Sequence, residues 1–239
     1  VGKAFLLHPN QELPEEPLRL SLVVSGSRRE RHWLAPDPGS SDGDPAAGLD
    51  FFDLKGIVET LLERLHVAGL AFEPAEHPAF QPGRTARLVA REAGGASVDL
   101  GVLGEIHAAV REAFDLPPWR VAAAELDLEA LLARVPDTWR VRPASAYPAV
   151  LQDLAVVVDE DVPAAAVEAA IVQAGGFLLQ GVQLFDVYRG EPVPAGKKSL
   201  AYALTFQAPD KTLRDEIVAR QVKGIVRKLE QELGAELRS

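Results

Sequence analysis

The stretch SLAYALTF, residues 199–206, alternates without a break. Leu200, Tyr202, Leu204 and Phe206 are large and apolar, while Ser199, Ala201, Ala203 and Thr205 are small or polar. A period of two over eight residues is the signature of a strand with one face in a core. Just upstream, residues 189–196 contain two glycines and two prolines, a turn leading back to an apolar strand over 177–188. Residues 151–158 (LQDLAVVV) read as another strand. Between these two strands Asp161-Val162-Pro163 opens a helix, with Ala166, Val167, Ala170 and Ile171 as its apolar stripe and Gly175-Gly176 as its stop. Downstream, Thr212-Leu213-Arg214-Asp215 fits a capping box for a last helix. Its stripe is Leu213, Ile217, Val222, Ile225, Leu229 and Leu233, and residues 235–238 add one more short strand. The order is β-α-β-β-α-β, the split β-α-β or ferredoxin-like pattern. Both helices then cover one face of an antiparallel sheet. The Leu200/Tyr202/Leu204/Phe206 side is expected beneath them, and the Ser199/Ala201/Ala203/Thr205 side is expected to be open.

Residues 136–143 (PDTWRVRP) read as a linker, dividing the chain into domains 1–143 and 144–239. In the first, residues 18–25 read as a strand and 36–48, rich in Pro, Gly, Ser and Asp, as a loop. Leu54, Ile57, Val58, Leu61, Leu62 and Leu65 form one helical stripe, with Asp53 as the expected N-cap and Gly69 as the expected stop. Strands over 86–91 and 97–102 follow, then helices near 106–114 and 128–134. The fold class expected is α+β.

Composition excludes several classes of function. Of 239 residues, 47% are hydrophobic and 25% charged, as in ordinary globular proteins. There is no cysteine, so disulfides, thiolate metal sites and cysteine nucleophiles are excluded. No apolar run approaches the ~20 residues that cross a bilayer, and a cytoplasmic protein without membrane contact is expected. The chain begins at Val1 and contains no methionine, so it reads as a fragment of something longer.

The formal net charge is −10. Residues 1–144 carry 15 basic and 22 acidic groups, and residues 145–239 carry 10 and 13. Neither half is broadly basic, so any phosphate contact must come from a local patch. His8, His32, His66, His77 and His107 share no metal-ligand spacing, and no phosphate-binding glycine loop or nucleophile elbow occurs. No catalytic constellation emerges, and no catalytic residue or metal ligand is assigned. In the second domain Arg189, Lys197 and Lys198 flank the hairpin turn, Lys211 and Arg214 start the last helix, and Arg140 and Arg142 lie in the linker. Asp153 reads as a structural hydrogen-bond acceptor. Two functions fit. One is a phosphate grip with Phe185 or Tyr188 stacking on a base. The other is a ferredoxin-like regulatory or protein-docking module that never meets RNA, and the missing RRM aromatic signature leaves it open.

Motifs in order carry a resemblance. They are Tyr147-Pro148-Ala149-Val150, Asp153-Leu154-Ala155, Leu184-Phe185-Asp186-Val187-Tyr188, Gly196-Lys197-Lys198-Ser199-Leu200-Ala201 and Asp210-Lys211-Thr212-Leu213. The series resembles the ferredoxin-fold anticodon-binding domain that ends the beta subunits of bacterial phenylalanyl-tRNA synthetases. Upstream, Asp50-Phe51-Phe52-Asp53-Leu54-Lys55-Gly56, Pro82-Gly83-Arg84-Thr85-Ala86 and Gly101-Val102-Leu103-Gly104-Glu105-Ile106-His107 are similar to the class II catalytic-like domain that precedes it. Four positions depart from the family's usual residues: Gln81 and Ala108 replace the His and Pro of two His-Pro pairs, Thr85 replaces a serine, and Lys211 replaces an arginine.

The resemblance implies a noncatalytic, class II synthetase-like antiparallel sheet domain followed by a ferredoxin-like domain. It implies membership of an α2β2 phenylalanine–tRNA ligase in which the alpha subunit does the chemistry with ATP and Mg2+ and this part holds no cofactor. The partners implied are the alpha subunit and tRNA-Phe. The residues expected to face RNA are Phe185, Asp186, Tyr188, Lys197, Lys198, Ser199 and Arg214.

Overall fold

A computed structural model describes the chain at all residues except 10, 29–47, 92–94, 140, 142–143 and 239. The loop expected at 36–48 falls outside the described residues but for Gly48, as do His32, Gly94, Arg140 and Arg142. The chain divides into two units, Val1–Arg140 and Val141–Ser239.

The first unit contains β1 (Gly2–Lys3), β2 (Leu18–Ser25), α1 (Phe51–Arg64), β3 (Leu70–Pro74), β4 (Phe80–Arg91), β5 (Ser97–Ile106), α2 (Ala108–Ala113), β6 (Val121–Asp127) and α3 (Leu128–Leu132). Its antiparallel sheet runs β1-β2-β6-β5-β4-β3. Leu54, Val58 and Leu62 of α1 and Leu131 of α3 are fully buried in one core with Leu88, Leu103 and Leu126 of the sheet. Each such side chain contributes about 1.5–3 kcal/mol by leaving water.

Several local expectations are corrected here. The N-cap of α1 is Asp50, not Asp53. Asp50 accepts from the amides of Phe52 and Asp53, and Asp53 at N3 closes the capping box on the Asp50 amide. The helix stops at Leu65 rather than Gly69, because His66 turns to a φ of +56° and stacks on Trp139, ring centres 4.6 Å apart. Gly69, at φ +73°, instead leads into β3, and an added Cβ there would lie 2.4 Å from the Arg91 carbonyl oxygen. Strands β4 and β5 are longer than their apolar stretches, and Ile106 pairs with Phe80, which leaves His107 to cap α2. Helix α3 ends at Leu132, before the Arg134 that the apolar pattern reaches. Strands β3 and β6 escape the sequence pattern. One is only five residues long, and the other is rich in alanine, a poor strand former.

The second unit contains β7 (Val150–Asp159), α4 (Ala164–Gly175), β8 (Leu179–Tyr188), β9 (Lys197–Phe206), α5 (Asp215–Leu233) and β10 (Glu236–Leu237). The antiparallel sheet order is β10-β7-β9-β8, and the βαββαβ reading stands. Leu200, Tyr202, Leu204 and Phe206 share a core with Val167, Ile171, Ile225 and Leu229 of the two helices, as the alternation requires. The Tyr202 hydroxyl donates to the Ala164 carbonyl at 3.0 Å, and burial pushes its pKa up.

Two boundaries differ. Gly176 takes φ +60° and opens a single 3-10 turn, Gly176–Leu178, so β8 starts at Leu179. The capping box at Thr212 does not form. Leu213 is buried in the core ahead of the helix and Arg214 is extended, so α5 begins at Asp215 without a side-chain cap.

Candidate nucleic-acid interface

The sheet of the second unit has one face under α4 and α5 and one face without helices. Register places each side chain. Leu184 of β8 pairs with Tyr202 and packs on the core. Asp186 then pairs with Ala201, so Phe185 is an extra residue, a β-bulge. The bulge shifts the alternation by one and turns Asp186 and Tyr188 to the open face instead of the core face.

Rows of residues cross this face. Tyr188, Ser199, Val157 and Glu236 form one row, and Asp186, Ala201 and Ala155 form the next. Arg238 adjoins that second row, its backbone N–H donating to the Ala155 carbonyl at 2.9 Å. The two alanines leave a shallow floor. Asp186 stands on one side of it, Tyr188 on another, and Arg238 on a third. The Arg238 guanidinium lies over the Tyr188 ring, 5.2 Å from its centre, and donates to Ser199 Oγ at 3.3 Å. The Tyr188 hydroxyl donates to the Glu191 carbonyl at 2.6 Å, which fixes the ring while leaving it 37% exposed. An ionised carboxylate can only accept hydrogen bonds, a ring face can stack, and a guanidinium can donate hydrogen bonds and stack at once.

Of the seven residues expected to face RNA, Asp186, Tyr188 and Ser199 come together here, with Phe185 beside them and 56% exposed. Ser199 is only 2% exposed and works through Arg238, whose nitrogen it holds. Lys198 is the clear correction. It points to the helix side, is 9% exposed, and donates to the Glu160 carbonyl at 2.7 Å. Lys197 reaches Glu236 at 2.9 Å and Asp159 at 3.7 Å, and the hydrogen bond it donates to Glu236 raises its pKa. Arg189 makes a two-nitrogen contact with Glu160 and holds that carboxyl below its usual range. Arg214 is exposed at the entry to α5, away from the open face. Asp153 is exposed, and its carboxylate accepts no hydrogen bond among the described residues, so the structural role expected of it is not filled. Arg238, the organising residue, was missed. Its only signal was a cation at the end of the short C-terminal strand.

The described histidines have local partners. His77 and His107 accept from the amides of Ala79 and Ala109, His8 meets Glu15, and His66 stacks on Trp139. Among the described residues no three His, Asp or Glu side chains gather as a metal site, and no helix is long and apolar enough to cross a membrane.

Residues 1–128, over half of the chain, match the family described as the phenylalanyl tRNA synthetase beta chain CLM domain. The chain belongs to the phenylalanyl-tRNA synthetase beta chain family. Residues 145–238 match the ferredoxin-fold anticodon binding domain, and the open face just described lies inside that segment. Similar proteins named phenylalanine–tRNA ligase beta subunit include one from Symbiobacterium thermophilum, 45% identical over 96% of this chain and 24% of that protein. Another, from Moorella thermoacetica, is 46% identical over 100% of this chain and 28% of that protein. A third, from Clostridium acetobutylicum, is 40% identical over 100% and 27%. The chain thus spans about a quarter of the length of the curated beta-chain relatives it matches.

Proposed function

We propose that this chain is the part of a phenylalanyl-tRNA synthetase beta subunit that packs on the catalytic alpha subunit and holds the anticodon region of tRNA-Phe. The enzyme is then the α2β2 ligase, acting in the cytoplasm, which joins phenylalanine to its tRNA with ATP and Mg2+. Residues 1–143 are its noncatalytic class II-like domain, and residues 144–239 contact RNA. Bond-making, ATP and the metal belong to the alpha subunit.

The observation that carries this reading is the recess of Asp186, Tyr188 and Arg238 around Ala155 and Ala201, within the segment matched to anticodon-binding domains. Tyr188 stacks on a base, Asp186 accepts from its ring or amino N–H groups, and Arg238 balances the carboxylate. Phe185 offers a second stacking surface. Arg214 contributes charge toward phosphates, Lys197 stays paired with Glu236 and Asp159, Ser199 positions Arg238, and Lys198 braces the hairpin. The match to an anticodon-binding family favours RNA contact over a docking module that never meets RNA.

Asp186→Asn in the full-length assembled enzyme tests this. The KM for tRNA should rise about tenfold while kcat stays near wild type, because the chemistry is elsewhere. An unchanged KM would remove the open face from the RNA interface.

A further inference from the structure

Residues 145–239 carry ten basic side chains, and the structure sorts them into two groups. Five are occupied within the fold. Arg189 binds Glu160, Lys197 binds Glu236, Lys198 binds the Glu160 carbonyl, Lys228 binds Glu232, and Arg238 binds Ser199 and the Tyr188 ring. The other five are Lys211, Arg214, Arg220, Lys223 and Arg227. None of them has an ion-pair partner among the described residues, and all lie on α5 or in the segment entering it. The open sheet face, with Asp153, Asp186 and Glu236 against Lys197 and Arg238, has no cation to spare for phosphate.

Arg220, Lys223 and Arg227 fall at i, i+3 and i+7, exposed on one side of α5 over about 10 Å of helix. Lys223 and Arg227 also line a groove of about 530 Å³ between α5 and the edge of β7. Val222, Val226 and Leu154 form its apolar floor, and Asp153 and Glu230 are its carboxylates. Strand β10 covers β7 only at Val156 and Val157, and the Arg238 amide bonds to Ala155. Among the described residues, residues 150–154 of β7 therefore have no strand neighbour on the groove side. Arg238 lines the same groove while its guanidinium reaches the Tyr188 ring. One side chain thus joins the groove to the base-sized recess.

We propose that this groove is a backbone track for RNA. The strand whose base meets Tyr188 continues past Arg238 and over the β7 edge, with its phosphates against Lys223 and Arg227 and then Arg220. The proposal rests on the RNA-binding reading above and assigns the electrostatic grip to α5 rather than to the hairpin lysines. Phosphate contacts supply most sequence-independent affinity, and five uncommitted cations on one helix and its approach are where this acidic domain can make them. An extended peptide pairing with the free β7 edge is the competing occupant. Three aligned cations favour the polyanion.

The test measures binding of tRNA to the full-length subunit in its assembled enzyme at several salt concentrations. Lys223→Gln and Arg227→Gln keep helix propensity at two exposed positions, and far-UV circular dichroism checks that the helix remains. The slope of log K against log salt should shrink by about 0.7–0.9 for each cation removed, with weaker binding at low salt that converges on wild type at high salt. An unchanged slope and affinity, in an enzyme where Tyr188→Ala still weakens tRNA binding, would overturn the track and leave the recess standing. A loss of affinity independent of salt would also overturn it, pointing to packing or a strand-like occupant. Failure of the unaltered enzyme to bind tRNA would instead overturn the RNA reading itself.

Discussion

Arg238 lies over the ring of Tyr188, 5.2 Å from its centre, and ties the last strand of the chain to the far strand of the sheet. Two strands, β7 and β9, separate them. Removing either partner should weaken tRNA binding. Tyr188→Ala should cost about 1–3 kcal/mol of stacking, a loss of about five- to 150-fold, and Arg238→Ala a comparable amount through lost charge and a loosened ring. Tyr188→Phe gives up only the bond to the Glu191 carbonyl and should stay near wild type. Equal losses for Tyr188→Phe and Tyr188→Ala in a filter-binding series would argue against stacking.

Lys198 should behave as a structural residue. Its buried ammonium satisfies the Glu160 carbonyl at 2.7 Å. Lys198→Met should lower unfolding free energy by about 1–3 kcal/mol and leave the salt dependence of tRNA binding as it was. Urea titration alongside binding at two salt concentrations separates these outcomes. A stable variant with a flatter salt slope would return Lys198 to the RNA interface.

The start of α1 should give the first unit an acid-sensitive stability. The hydrogen bond from Arg28 is the main cause holding the Asp53 carboxyl below its usual range, and the Asp50 backbone N–H adds to it. Because the folded pKa lies below the unfolded one, near about 3.9, this contribution is present above that pH. It is lost as pH falls through the depressed folded value. Urea midpoints measured from pH 7 to pH 3 should therefore drop more steeply in wild type than in Asp53→Asn, which lacks the ionisable group. Parallel profiles would refute the assignment. Asp50→Ala, which removes the cap itself, should cost about 0.5–2 kcal/mol at neutral pH.

Gly101 should be intolerant of any side chain. It has φ +141°, next to the bulge at Leu100, and an added Cβ would lie 2.2 Å from the Glu125 carbonyl oxygen. That neighbour is the backbone of β6, paired with Gly101 across the sheet, and it has little freedom to move. Gly101→Ala should destabilise the chain by about 3 kcal/mol, read as a lower thermal midpoint. A midpoint within a degree of wild type would contradict the geometry.

Much of this molecule is visible in its side-chain periodicity. Leu54, Val58 and Leu62 of the α1 stripe and the alternation Leu200-Tyr202-Leu204-Phe206 end up buried, because burial selects one face of a regular element, whereas Ile57 of the same stripe stays 45% exposed. Strand β6 was not legible. Its VAAAELD sequence carries no strand preference of its own and becomes a strand by pairing with β2 and β5. The cap of α1 was misplaced by three residues because Asp50 and Asp53 are both good caps, and only the backbone turn decides which precedes the helix. The absent cap of α5 has the same kind of cause, since Leu213 enters the core before the helix begins.

Sequence alone determined the βαββαβ order, the apolar face of its sheet, the absence of cysteine chemistry and the resemblance that named Phe185, Asp186, Tyr188 and Ser199. These follow from local patterns and from residue types, which need no knowledge of neighbours. Tertiary structure alone decided that a bulge at Phe185 turns Asp186 and Tyr188 outward, that Arg238 closes over them, and that Lys198 turns inward. A one-residue shift in register exchanges the two faces of a strand, and the pairing of a charge depends on which distant chain segment folds beside it. Neither is written in any single stretch of the chain.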